Sequence, residues 1–150
     1  MTTEALLSYA HILAILTMTV FLASEAALCR AEWLNAAVVE RLVRLDIIYG
    51  VSALAVLLTG VARIVWGAKG MGWYLTNPLM HVKFTLFIVM ALLSIKPTLA
   101  FRRWRQALRA SGALPDAQQL TRTRRLVMLQ AHILPLLPLA AVFMARGFGA

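Results

Sequence analysis

The chain has 150 residues, 61% of them hydrophobic, and a mean hydropathy of +0.79. These values exclude an ordinary water-soluble domain and point to one integral membrane domain. Charge is scarce but lopsided, with fifteen Lys and Arg against six Asp and Glu. In a membrane protein that balance signals loops facing anionic lipid, and no soluble segment is left over to bind nucleic acid.

The N-terminus, MTTEALLSYAH, has Glu4 where a secretory signal would carry a basic residue, and no small-residue cleavage site follows. It reads as a retained span. Four apolar runs follow one another: Ala5 to Leu28, Leu45 to Trp66, Asn77 to Ala100 and Leu126 to Ala145. Each matches the ~20 residues that a helix needs to cross the hydrocarbon. The expected fold is therefore all-α, an integral membrane four-helix bundle. The lone Cys29 excludes an intrachain disulfide and reads as a small apolar residue at a helix end.

The loops orient the bundle. Arg30, Arg41 and Arg44 lie between the first and second spans. Arg102, Arg103, Arg105, Arg109, Arg122, Arg124 and Arg125 lie between the third and fourth, whereas the second connection offers only Lys69 in a turn rich in Gly and aromatics. The positive-inside rule then puts both termini outside. Trp66, Trp73 and Tyr74 fit an outer aromatic belt, and Trp33 and Trp104 the inner interface. FRRWRQALRA continues the third helix as a basic amphipathic stub, and Ser111-Gly112-Ala113-Leu114-Pro115 breaks it.

Polar residues inside the spans are the candidates for function. Helical periodicity aligns Ser8, His11, Met18 and Glu25 in the first span. It aligns Asp46, Gly50, Ala53, Leu57 and Gly60 in the second, and Lys83, Phe87, Met90 and Ser94 in the third, with His81 pointing away from Lys83. In the fourth, His132, Leu139 and Arg146 align around Pro135 and Pro138. Glu25 and Asp46 lie near the cytoplasmic ends, within expected reach of Arg44 and Arg125, and read as structural charge pairs. The outer half is different. It gathers His11, Arg63, His81 and Lys83 with no acid except Glu4 at the edge, which calls for a bound anion: a carboxylate, a haem propionate or a lipid phosphate.

His11 is the preferred axial ligand for a haem iron, because neutral imidazole ligates haem and bundles hold cofactors between helices. His81 matches it in depth, whereas His132 lies roughly 15 Å away at ~1.5 Å per residue. Either is a candidate second ligand. No phosphate loop, nucleophile–base pair, HExxH or CxxC is present.

Two resemblances add to this reading. Glu25, Asp46-Gly50-Gly60-Arg63, Asn77-Pro78, Lys83 and LLSIKPT resemble a family of small uncharacterised four-span bacterial membrane proteins, over nearly the whole chain. AHILAI and LMHVKFTLF resemble, more distantly, the HemJ-type protoporphyrinogen oxidases, four-span proteins that bind haem b. That resemblance implies His11 as haem ligand and Lys83 as a contact for tetrapyrrole carboxylates or a catalytic candidate. It also implies a quinone or other electron acceptor and a bacterial inner-membrane location. Tyr49-Gly50-Val51 and His132-Ile133-Leu134-Pro135 depart from that family's second- and fourth-span motifs. The alternative is a cofactor-free accessory subunit or small transporter-like protein, as a homo-oligomer or within a larger complex.

Overall fold

The computed structural model describes residues 2–67 and 69–149, so Ala68 of the second connection lies outside the described residues, as do Met1 and Ala150. Among the described residues there are six α-helices, α1 (Thr2–Leu28), α2 (Ala36–Trp66), α3 (Met71–Thr76), α4 (Pro78–Ser111), α5 (Ala117–Ile133) and α6 (Leu136–Ala145), and all but α3 contribute to four spans. A 3₁₀ turn at Ala31–Trp33 joins α1 to α2, and no strand occurs among the described residues. The helices of all four spans are long and apolar enough to cross a membrane, α5 and α6 together forming the fourth.

Capping residues set the helix starts. The Asn35, Asn77 and Asp116 side chains accept hydrogen bonds from the backbone N–H of Val38, Leu79 and Gln119, which satisfies an orphan donor at the start of α2, α4 and α5. Pro78 follows Asn77 at the first turn of α4, where its missing N–H costs nothing. Gly112 closes α4 with φ 71°, a left-handed conformation that favours glycine.

The helices outrun the hydrocarbon. At ~1.5 Å per residue α4 is roughly 50 Å long against a core of ~30 Å. Its C-terminal turns, with the N-terminal turns of α2 and α5, continue the bundle beyond the membrane on the arginine-rich side. The second and fourth spans thus begin in helix well before Leu45 and Leu126, and Arg41 and Arg44 sit on α2 itself. The stub is no lipid-surface helix. Its apolar face, Phe101, Trp104 and Leu108, packs into the main core with Leu22, Val39, Leu42, Val43 and Val127. Trp104 stacks edge-on against Phe101 at 5.5 Å and is buried, so it does not join the interface belt expected for it; Trp33 does stay exposed. The outer connection folds into α3, which the glycines of that turn conceal in the sequence. Trp73 lies edge-on to Tyr74 there, and the Lys69 ammonium sits 4.0 Å from the Trp73 ring centre.

The bundle order follows from packing. α1 lies along α2, α2 meets α4, α4 meets α5 and α6, and α5 returns to α1. α6 has no comparable seat on α1. Pro135, between α5 and α6, and Pro138, inside α6, remove two backbone donors and break the fourth span there, so its outer part leans on α4 instead. In the outer half α1 therefore packs mainly on α2. Elsewhere the apolar side chains point outward: within the most apolar 18-residue window of each of α1, α2 and α4, 17% of residues are buried. A surface of Leu13, Leu16, Val20, Leu54, Leu58, Ile88 and Leu92 requires lipid around it.

Two outcomes test this packing. Cys29 is fully buried, its thiol facing the Leu120 carbonyl at 4.0 Å, and burial followed by the nearby Glu25 charge pushes the thiol up to about 12, against the opposing effect of Arg124. A maleimide should leave Cys29 unlabelled in the folded protein and label it after denaturation in SDS; rapid labelling of the native form would contradict the packing. Trp104→Ala should cost about 3 kcal/mol in reversible unfolding. Arg109→Ala, which removes an exposed partner of Glu40, should leave the midpoint unchanged.

Candidate functional site

The small residues of α2 decide where α1 comes closest. Gly60 faces His11 so tightly that a Cβ at position 60 would lie 3.3 Å from His11 Cε1. Beside it, Thr59 Oγ1 lies 2.8 Å from His11 Nδ1. The Thr59 hydroxyl donates its own hydrogen to the Ala55 carbonyl at 2.6 Å. Thr59 therefore accepts from His11, which places the imidazole proton on Nδ1 and leaves the Nε2 lone pair uncommitted. This is how a protein orients an imidazole whose second nitrogen serves as a ligand.

Arg63, one turn beyond Thr59 on α2, and Lys83 on α4 lie close enough for their charges to act on His11 and on each other. All three side chains are half-buried. Neither Arg63 nor Lys83 has a hydrogen-bond or ion-pair partner among the described residues. Three helices thus bring one imidazole and two cations together in the outer half. Lys83 faces inward with Phe87, Met90 and Ser94, as its periodicity predicts.

The other two histidines do not join them. His81 is exposed, and its Nε2–H donates to the Leu75 carbonyl at 2.8 Å, tying the end of α3 to α4. His132 is exposed on α5, and its Nδ1–H donates to the Met128 carbonyl of its own helix at 2.6 Å. Leu139 and Arg146, aligned with it, are exposed too. The structure therefore groups His11 with Arg63 and Lys83 and leaves His81 and His132 apart.

The inner half corrects a second expectation. Arg44 and Arg125 are exposed and do not pair with Glu25 or Asp46. Among the described residues the only ion pair joins Arg109 to Glu40, at 2.8 Å, between the cytoplasmic extensions of α4 and α2. Asp46 instead accepts from the Thr98 hydroxyl at 2.7 Å, and the Tyr49 hydroxyl donates to Gln130 Oε1 at 2.8 Å. Periodicity assigns the inward face of α2 only in part: Asp46 is buried, Ala53 packs on the core and Gly60 on His11, but Gly50 and Leu57 are exposed while Tyr49 and Ser52 are buried. The usable signal for Tyr49 and Gln130 was their polarity within apolar runs, three residues from Asp46 and two from His132.

Comparison with known proteins agrees with the membrane architecture. No curated protein and no solved structure matches the chain. A family model does, over residues 3–149, and the chain belongs to the family it describes, predicted membrane protein DUF2214.

Proposed function

We propose that this membrane protein binds a haem b in the outer half of its bundle, with His11 Nε2 toward the iron and Arg63 and Lys83 toward the propionates. The observation that carries this reading is the hydrogen-bond order Ala55–Thr59–His11, which leaves Nε2 free beside two cations that have no protein counter-charge. Arg63 keeps its charge under all ordinary conditions, so a carboxylate partner stabilises the cluster. The resemblance of AHILAI and LMHVKFTLF to the HemJ-type oxidases favours the same ligand. A bound haem supplies one-electron redox chemistry, which suits oxidation of protoporphyrinogen IX or a related donor. The residues' own part is to ligate through one nitrogen, hold carboxylates at a defined depth and keep the imidazole fixed on α2. His81 and His132 are already bonded elsewhere, so this reading uses one histidine.

The lack of any acid paired with Arg63 or Lys83 among the described residues favours a second reading, in which the same cations hold the phosphate of an anionic lipid and no cofactor is present.

An absorption spectrum of the detergent-purified protein, oxidised and reduced, separates the two. The haem reading expects a Soret band that shifts on reduction and is lost in His11→Ala. Gly60→Val, which drives side-chain atoms into the imidazole, should weaken the band likewise while the protein stays folded. Arg63→Gln or Lys83→Gln should lower haem affinity roughly tenfold each, the worth of a charge-assisted hydrogen bond. A colourless protein that cannot be loaded with haem, and that retains an anionic lipid in native mass spectrometry, would replace the first reading with the second.

A further inference from the structure

The inner half contains two acids that the outer cluster does not use. Glu25 on α1 is 1% exposed and Asp46 on α2 is 6% exposed. Neither lies within ion-pair distance of a cation among the described residues. Asp46 has one donor, the Thr98 hydroxyl on α4. Glu25 has none: its Oε1 is buried with no hydrogen-bond partner. An ionised carboxylate held without water, donor or counter-ion is strongly disfavoured, and a second carboxylate beside it makes matters worse.

The surroundings do not relieve this. From α2, the charge of Asp46 acts on Glu25, and Tyr49, on which the Glu25 charge acts in turn, gives its hydroxyl hydrogen to Gln130. From its own chain Glu25 meets Cys29, one turn away. From α5 come the neutral Gln130 and Arg124, whose charge reaches Cys29. From α4 come Thr98 and Arg102, whose charge reaches Asp46. The strongest charge felt by Glu25 is thus another acid.

We propose that Glu25 and Asp46 form a proton-binding site in the cytoplasmic half of the membrane, the pair carrying one proton that rests on Glu25. Asp46 already accepts a hydrogen from Thr98, so it is the better seat for the negative charge, and Glu25 the better seat for the proton. A metal ion fits less well, since no three His, Cys, Asp or Glu among the described residues gather to hold one. A cleft lined by Arg30, Glu32, Thr121 and Arg124 lies at the end of α1, one turn along the chain from Glu25. The site stands independently of whatever ligand occupies the outer cluster.

Infrared spectroscopy of the full chain in lipid nanodiscs tests the proposal. At neutral pH the wild type should show the C=O stretch of a protonated carboxyl that shifts in D₂O, and labelling glutamate carboxyl carbons should move that band, an assignment that needs no variant. Glu25→Gln, of nearly the same shape, should abolish the band, and Asp46→Asn should keep it. A protonated native state also predicts that thermal stability of the wild type falls as pH is raised, while Glu25→Gln stays flat, because deprotonation then favours the unfolded chain. No protonated-carboxyl band in the wild type would overturn the proposal. So would a band that ignores the glutamate label, or a melting temperature that depends on sodium against choline chloride at equal ionic strength.

Discussion

Helices surrounded by lipid gain little from burying apolar side chains against one another, because the lipid tails are equally apolar. What holds this bundle together inside the membrane must be close packing and polar contact, and nearly all of the polar contact runs through α2. Thr59 receives His11 of α1, Asp46 receives Thr98 of α4, and Tyr49 reaches Gln130 of α5. Beyond the membrane Glu40 receives Arg109 of α4. One helix thus bonds to each of the other three spans. Interhelical bonds of this kind contribute about 0.6 kcal/mol each in membranes, so their importance lies as much in register as in energy.

That dependence on α2 explains the division of the bundle. In the cytoplasmic half α5 closes against α1, Phe101 and Trp104 enter the core, and the packing resembles that of a soluble protein. In the outer half the prolines of the fourth span turn α6 toward α4, and α1 retains α2 as its main neighbour. The inner half contains the buried acids Glu25 and Asp46; the outer half contains Arg63 and Lys83, which have no ion-pair partner among the described residues.

Much of the architecture was legible in the chain itself. Four runs of about the spanning length and stop signals at Ser111-Gly112 and Pro115 specify a four-span helical bundle, because hydrocarbon thickness and backbone hydrogen bonding leave few alternatives. The inward direction of Lys83 and the outward direction of His81 followed from their spacing of two on a helix. Periodicity was less reliable on α2, where glycines and alanines were taken as the packing face and Tyr49 was overlooked. A membrane helix has no polar exterior to mark its lipid side, so hydrophobicity alone cannot orient it.

The sequence by itself determined the fold class, the number of spans and the presence of cations without acids in one half of the bundle. Only the tertiary structure decided which of these residues meet. It gave His11 to Thr59 and Gly60, and kept His81 and His132 on local carbonyls. It also withheld Arg44 and Arg125 from the two acids. The physical reason is that composition and period specify which side chains must avoid lipid, whereas partners are chosen by helix crossings, and those depend on where a glycine lets two backbones approach and where a proline forces one away.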